Sequence, residues 1–406
     1  MPATPSPAPR VLLLEGIHPE AGRRLHAAGF QVEELSGSLE PRHLAERLAG
    51  VSVLGIRSKT RVTEAVLEAA DDLEVVGAFC IGTNQVDLEA CVRRAVPVFN
   101  APYANTRSVV ELALGQMIML LRHVPEKNAL LHRGVWRKSA TRSREARGKR
   151  LGIVGYGNIG AQLSVLAEAV GMEVHYYDLV EKLPLGNARA CRSLHELLAR
   201  VDVVSVHVDG RASNRHLFGP EEFQAMREGA IFINLSRGSV VDLEELEEAL
   251  DSGWLGGAAL DVFPQEPKGN GEAIRLPLQG RENVLLTPHI GGSTEEAQEN
   301  IAAFVPDKIL GFLKRGSTTL AVNFPNLQLP ELRGAHRVVH VHENVPGILA
   351  RINRVLADRD INITGQYLKT NERIGYVITD AERVDDPDVV RGLEEIPRTL
   401  RVKVLY

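Results

Sequence analysis

The chain has 406 residues, 44% of them hydrophobic, which is too long for one ordinary core, so two or three domains are expected. Its net charge of −5 argues against a general nucleic-acid binder, whose footprint is basic. Three cysteines, Cys80, Cys91 and Cys191, are odd in number and fit no metal spacing; they read as small buried thiols in a reducing compartment.

Residues Met1 to Arg10 alternate proline with small residues and carry no apolar signal-peptide core, so they read as a loose tail. Val11–Leu14 is a short apolar run, as a buried strand shows. Pro19 to Gly29 follows as a helix with Ala21, Leu25 and Ala28 on one face and Gly29 as its stop. Val51–Ile56 is a strand, Glu64–Ala70 a helix, and Leu73–Phe79 and Val96–Phe99 are further strands. Strands alternating with helices imply a parallel sheet covered on both faces. Val109 to His123 is a helix apolar nearly all round, which predicts burial between domains or subunits. Its apolar part, Glu111–Leu121, is too short for a bilayer, which takes about 20 residues. A soluble, cytoplasmic protein is expected. Arg133 to Lys149 is polar and basic with little period, and reads as a loop-rich connector.

The pattern then restarts. Arg150–Val154 is a strand, Ile159–Val170 a helix with Ile159, Leu163, Leu166 and Val170 on one face, and Val174–Tyr177 a strand. Val203–Val208, Ala230–Asn234, Gly257–Leu260 and Val284–Leu286 complete a second, doubly wound parallel sheet. Asn326 to Gly334 has the texture of a linker. Beyond it, Arg337–His342, Gly347–Leu356, Ile361–Lys369, Gly375–Thr379, Asp388–Leu393 and Leu400–Leu405 run β-α-β-β-α-β, the ferredoxin-like order.

Gly155-Tyr-Gly-Asn-Ile-Gly160 joins a strand to a helix. Gly155 makes the tight turn, Gly157 lets backbone approach a pyrophosphate, and Gly160 allows close helix–strand packing. The helix start at Asn158 and Ile159 offers free N–H groups to phosphate. Asp178, about twenty residues on, accepts from ribose hydroxyls and repels a 2′-phosphate, which favours NAD over NADP. Three later segments follow strand ends, where open α/β sheets bind ligands: Asn234–Gly238, Leu260–Pro267 and Leu286–Gly292. Oxidising a secondary alcohol needs a base near neutrality, a carboxylate to orient it and a cation for the substrate carboxylate. His289, Glu266 and Arg237 supply these roles.

These motifs resemble the D-isomer-specific 2-hydroxy acid dehydrogenases. The likeness is narrower over Phe79–Asp87, Asn100–Ser108 and His289–Asn300, toward members that act on 3-phosphoglycerate and carry a C-terminal ACT module, and it spans Arg10 to Tyr406. The resemblance implies a flavodoxin-like substrate domain (residues 10–107 and 295–325), a Rossmann NAD domain (108–294) and an ACT regulatory domain (335–406). It makes Arg237, Glu266 and His289 the catalytic set. To the glycine loop and Asp178 it adds Leu235, Ser236, Arg237, Asp261, His289, Gly291 and Gly292 as cofactor contacts. Arg57, Ser58, Lys59, Ile81, Gly82 and Arg237 would meet the substrate, with Lys138, and Arg133 beside it, reaching its phosphate. His342, Asn344 and Asn362 would bind L-serine as an effector, and a homotetramer is implied.

One loop departs from the family. After His207-Val208 relatives carry a proline and threonines; here the chain reads Asp209-Gly-Arg-Ala-Ser-Asn-Arg215. In relatives this loop lies near the cofactor, so altered cofactor affinity is expected, and its arginines leave an opening for NADP that Asp178 opposes. Two other functions stay open: reduction of 2-oxoglutarate to 2-hydroxyglutarate, and a non-catalytic NAD or serine sensor. The intact Arg237, Glu266 and His289 speak against the sensor.

Overall fold

In a computed structural model describing residues 8–267, 271–330, 336–382, 384 and 387–405, the apolar run after Arg10 is the first strand of a parallel sheet. The tail at residues 1–7 and the linker at 331–334 lie outside the described residues. The sheet holds β1 (Arg10–Leu13), β2 (Gln31–Glu34), β3 (Val51–Ile56), β4 (Val75–Ala78) and β5 (Val98–Phe99). The spatial order β2-β1-β3-β4-β5 is the flavodoxin-like arrangement. Helices α1 (Pro19–Ala27), α2 (Pro41–Arg47), α3 (Glu64–Glu68) and α4 (Leu88–Arg93) link the strands. Strand β2, α2 and α4 are not legible in the sequence. The Gln31–Glu34 strand is a half-exposed edge without an apolar run, and α2 buries a single residue, Leu44.

The chain divides into two units, residues 105–297 and the segments on either side of them. The second unit opens with α5 (Thr106–Leu121) and α6 (Val124–His132). Residues 133–149 contain no helix or strand, as their composition predicts. Then come β6 (Arg150–Val154), α7 (Asn158–Ala169), β7 (Glu173–Tyr177), β8 (Arg189–Ala190), α8 (Leu194–Leu198), β9 (Val203–Val206), α9 (Pro220–Ala225), β10 (Ala230–Asn234), α10 (Leu243–Asp251), β11 (Leu255–Leu260) and β12 (Val284–Leu286). All seven strands are parallel, in the order β12-β11-β10-β9-β6-β7-β8. The sequence runs outward in opposite directions from β6 and β9, so a switch-point crevice opens between their carboxyl ends.

Helix α5 buries Val109, Val110, Ala113, Met117, Leu120 and Leu121 against α7 and the sheet. Its other side is not covered: Ile118 is exposed. An all-round apolar helix predicts all-round burial, but within its own unit this helix has packing partners on one side only.

Helix α11 (Glu295–Arg315) follows, and its Ile301, Val305 and Ile309 pack on the five-stranded sheet with Val11, Leu13, Val53 and Val75. A methyl at Gly77 would stand 2.8 Å from Val305 and 2.9 Å from Ile309, so glycine sets how closely the helix lies. Last come β13 (His336–Glu343), α12 (Ile348–Ala357), β14 (Ile363–Thr370), β15 (Ile374–Ala381), α13 (Pro387–Glu394) and β16 (Thr399–Leu405). They form an antiparallel sheet in the order β14-β15-β13-β16, with α12 and α13 on one face. No helix among the described residues is long and apolar enough to cross a membrane.

The other face of this sheet carries Val339, Val341, Tyr376 and Ile378, which join Phe312 and Phe324 in one core. The buried Tyr376 hydroxyl donates to Gly316 O (2.7 Å). Arg337 is 1% exposed. Its Nε and Nη2 donate to the two Asp380 oxygens (2.6 and 2.7 Å), and further bonds reach the carbonyls of Arg315 (3.0 Å) and Pro330 (3.2 Å). A buried guanidinium needs this complete set of acceptors. Arg337→Met leaves Asp380 and two carbonyls unpaired, and should cost about 3 kcal/mol in urea unfolding of this module. A loss below about 1 kcal/mol would show that the fork contributes little.

Candidate active site

The glycine loop sits at the carboxyl end of β6. Gly155 has φ +91°, and a Cβ there would lie 2.7 Å from His207 O, so both the conformation and the space require glycine. A Cβ at Gly160 would stand 2.3 Å from Gly155 O, where the helix crosses the strand end. At Gly157 the Cβ direction is open, with nothing within 4 Å. Gly157 and Asn158 are exposed and Ile159 half-buried, at the start of the twelve-residue α7. An open glycine before a helix N-terminus suits a pyrophosphate, which the first amides and the dipole stabilise.

The second loop residue is anchored rather than exposed. Tyr156 stacks on Tyr176 with centroids 3.9 Å apart, and its hydroxyl lies 2.7 Å from Ser164 Oγ. Asp178, at the end of β7, accepts from Tyr156 N (2.8 Å) through Oδ2 and from Val180 N (3.0 Å) through Oδ1. A carboxylate has about four acceptor positions, so two remain for a ribose diol. The residues present therefore fit a dinucleotide.

Three loops beyond β10, β11 and β12 meet. Buried Asn234 accepts from Ser236 N (3.0 Å) and Ser236 Oγ (2.7 Å) and donates to Arg237 O (3.0 Å), which folds Leu235, Ser236 and Arg237 into a tight turn. A Cβ at Gly238 would fall 1.9 Å from the Phe263 carbonyl carbon, so only glycine lets this turn press against the next loop. Asp261, 1% exposed, accepts from Thr287 Oγ1 (2.6 Å), Ile290 N (2.9 Å) and Gly291 N (2.7 Å), while its carbonyl accepts from His289 N (2.8 Å). These bonds bend the chain so that His289 takes φ +54°, a left-handed conformation uncommon outside glycine. A Cβ at Gly292 would meet Asn105 Nδ2 at 2.1 Å. Asn105, Thr287 and Asn234 are not among the site residues that the sequence identifies. Asn234 and Thr287 lie in strand-end segments that the sequence singles out, and Asn105 in a stretch of family likeness, but nothing local gives any of them its role.

His289 Nδ1 lies 2.8 Å from Glu266 Oε2, and Glu266 Oε1 accepts from Phe263 N (3.1 Å). The hydrogen bond to Glu266 raises the His289 pKa above its ordinary 6.5, against burial, and the charges of Glu266 and Asp261 add to it. Burial pushes Glu266 up, but the hydrogen bond and charge of His289, the Phe263 amide and Arg237 together bring it below its ordinary 4.5. Arg237 Nη1 donates to Ser236 O (2.7 Å), and no carboxylate pairs with it among the described residues. Asp242, in the turn after β10, is spent capping α10 and pairing with His216 (3.2 Å). Arg237, Glu266 and His289 thus stand within reach of one another's charge, with one histidine nitrogen fixed by a carboxylate and the other, Nε2, left for a substrate proton.

In the first unit, Arg57, Ser58, Lys59, Ile81 and Gly82 gather at the carboxyl ends of β3 and β4. Glu15, a residue the sequence does not flag, holds the segment after β3: its carboxylate accepts from the amides of Arg57 (3.1 Å), Lys59 (2.9 Å) and Thr60 (2.8 Å). Arg57 O accepts from Gln85 Nε2 (2.5 Å), which also reaches Gly82 O (3.3 Å), and Asn100 Nδ2 donates to Ile81 O (2.6 Å). Lys138 and Arg133 belong to the irregular segment of the second unit; Lys138 is exposed, and Arg133 pairs with Glu282. His342 is buried, with Nδ1 on Glu343 O (2.7 Å) and Nε2 without a partner. Asn344 binds Asn371 O (2.8 Å) near it, but Asn362 pairs with Glu382 (2.9 Å) at the other end of β15. Eight residues of strand, about 25 Å, separate the two, so one chain does not bring the three together.

The signs of the shifts set a pH window. His289 contributes fully below 6.5 and loses its contribution as pH rises through its raised value. Glu266 contributes fully above 4.5 and loses its contribution as pH falls through its lowered value. The pair is at full strength between 4.5 and 6.5. In an NMR titration His289 should titrate above 6.5, and Glu266→Gln should lower that midpoint by about one unit. An unmoved midpoint would dissociate the two side chains.

Residues 114–291 match the family described as D-isomer specific 2-hydroxyacid dehydrogenase, NAD binding domain, and residues 338–401 match the AHAS small subunit-like ACT domain. The chain is 50% identical over 398 residues to the D-3-phosphoglycerate dehydrogenase of Haemophilus influenzae, covering 98% of this chain and 97% of that one. It is 44% identical over 397 residues to the enzyme of the same name from Dictyostelium discoideum, with the same coverage. Among solved structures, the TT0316 protein of Thermus thermophilus superposes with a TM-score of 0.67 at 34% identity, over 75% of this chain and 96% of that one.

Proposed function

The chain belongs to the D-isomer-specific 2-hydroxyacid dehydrogenase family, in the branch of the D-3-phosphoglycerate dehydrogenases, and we propose that it oxidises 3-phospho-D-glycerate to 3-phosphohydroxypyruvate with NAD, the first step of L-serine synthesis. The observation that carries this reading is the 2.8 Å His289–Glu266 pair beside Arg237, at strand ends of a dinucleotide-type sheet.

The residues divide the work by their chemistry. His289 Nε2 takes the proton of the C2 hydroxyl. Glu266 keeps the proton on Nδ1 and stabilises the imidazolium that results. Arg237 grips the substrate carboxylate with its planar fork. NAD, when bound, accepts the hydride from C2. Its pyrophosphate would be held at Gly157 and the first amides of α7, in the turn that Gly155 and Gly160 shape, and its ribose at Asp178. Leu235, Ser236, Gly291 and Gly292 would line its nicotinamide end, on which Asp261 would act through the His289 turn it holds. Arg57 and Lys59, pre-shaped by Glu15, take the substrate phosphate, with Ile81 and Gly82 at the same edge and Lys138 and Arg133 as additional cations. This assigns residues 10–107 with 295–325 to the substrate, 108–294 to NAD and 335–406 to regulation. A cytoplasmic enzyme accords with three cysteines that form no disulfide among the described residues.

His289→Ala should bind NAD within about twofold of the parent, because the glycine loop and Asp178 are untouched, yet lose about three orders of magnitude in turnover. Turnover close to the parent's would remove His289 as the base. Activity on 3-phosphoglycerate should exceed that on 2-hydroxyglutarate; the reverse order would reassign the substrate.

The C-terminal module is proposed to bind L-serine across a two-fold pairing of antiparallel sheets, within a homotetramer. Asn362 of a second copy would then supply what a single chain holds some 25 Å from Asn344. Serine, and not glycine, should inhibit, and both Asn344→Ala and Asn362→Ala should lose that inhibition while keeping uninhibited activity. Inhibition that survives in either variant would dismiss that residue as a ligand.

A further inference from the structure

The loop Asp209–Arg215 is the one motif that the reaction as described leaves unused, and its position is specific. It follows β9, which pairs with β6 (Val154 opposite Val206), and β6 pairs with β7 (Val154 opposite Tyr177). The switch-point crevice therefore has two walls. One is the glycine loop with Asp178 after β7, and the other is the chain leaving β9. The two touch at their base: the Cβ position of Gly155 lies 2.7 Å from His207 O and 3.1 Å from Val208 Cγ1. Farther along, the Cβ position of Gly210 lies 3.2 Å from Arg237 Cγ, so the same loop flanks the catalytic arginine.

Within the loop a single carboxylate organises everything. Asp209 Oδ1 accepts from Arg211 N (3.2 Å), Arg211 Nε (2.7 Å) and Asn214 Nδ2 (3.0 Å), and its Oδ2 accepts from Arg211 Nη2. Asn214 is buried and also donates to Asp209 O (3.0 Å), which ties the turn down. The result holds an exposed guanidinium in a fixed place, with Nη1 unused by Asp209. The basicity of this guanidinium is raised first by the hydrogen bond to Asp209, then by the charge of Asp209, and last by the charge of Asp178, which follows the strand on the other side of β6.

We propose that Arg211 is a cofactor-specificity residue: tethered by Asp209, it faces the adenosine ribose position marked by Asp178 and accepts a 2′-phosphate there. Asp178 by itself repels that phosphate. A guanidinium on the opposite wall offsets the repulsion and offers its unused donors to phosphate oxygens. The chain then discriminates against the phosphorylated dinucleotide less than Asp178 alone dictates. The inference rests on the reading of this crevice as the dinucleotide site.

Calorimetric titration of the full chain with ADP-ribose and with 2′-phospho-ADP-ribose tests it without recourse to turnover. Both ligands should bind the parent. Arg211→Ala should weaken 2′-phospho-ADP-ribose about tenfold and change ADP-ribose by less than about twofold, and Arg211→Lys, a point charge without the fork, should recover only part of the loss. Equal losses for both ligands would make Arg211 a shaper of the loop and overturn the proposal. So would an unchanged ratio, or a parent that does not bind the phosphorylated ligand. Failure of ADP-ribose itself to bind would instead refute the dinucleotide reading on which the proposal stands.

Discussion

The catalytic side of this molecule depends on one buried carboxylate. Asp261 is almost completely removed from solvent at the end of β11, where an ion is costly unless its acceptor positions are filled. They are filled by the Thr287 hydroxyl and by the Ile290 and Gly291 amides, all from the turn that carries His289. The requirement to satisfy this group bends that turn, puts His289 into a left-handed conformation, and aims Nδ1 at Glu266. Asp261 thus fixes the position of the histidine proposed as the base.

The same device recurs in the other unit. Glu15, itself at φ +64°, gathers the Arg57, Lys59 and Thr60 amides. In both places a carboxylate at a strand end collects backbone donors from a second loop. This leaves the functional side chains, His289 in one case and Arg57 and Lys59 in the other, unencumbered by the hydrogen bonds that fix their backbone. A rigid loop restricts the motion of the groups it carries, which is what orientation in catalysis requires. Glycines at 155, 160 and 238 serve the complementary need: each stands where a Cβ would strike backbone within 3 Å, so that at 155 and 238 loops from neighbouring strands close on one another and at 160 the helix closes on its own loop.

The proposed regulatory module has a different geometry. The antiparallel module places His342 and Asn344 at one end of β15 and Asn362 at the other. The family resemblance singles out all three, and their separation in one chain is why the proposed effector site calls on a second copy. The exposed side of α5 raises the same issue from packing. An apolar helix surface such as Ile118 acquires its meaning from what covers it, and covering is not encoded in the helix itself.

The sequence by itself determined most strands of both parallel sheets, the helices α1, α3, α5 and α7, the β-α-β-β-α-β order of the last module and the glycine loop with Asp178, and it singled out Arg237, Glu266 and His289 as candidates. These are local signals: apolar period, turn chemistry, and residue types at strand ends. It did not reveal β2 or α2, whose polar, half-exposed residues form elements because neighbours offer them an edge or a face, nor α4, α6, β8, α8, α9 or α10. Nor did it reveal Glu15, Asn105, Asn234 or Thr287 as parts of the site, or the coupling of Asp209, Arg211 and Asn214. A polar residue announces its type but not its partner: the partners of Glu15 lie 42 to 45 positions away and that of Thr287 lies 26 away, and even the local bonds of Asn234 and Asp209 are chosen only when the chain closes and every buried donor and acceptor must be matched.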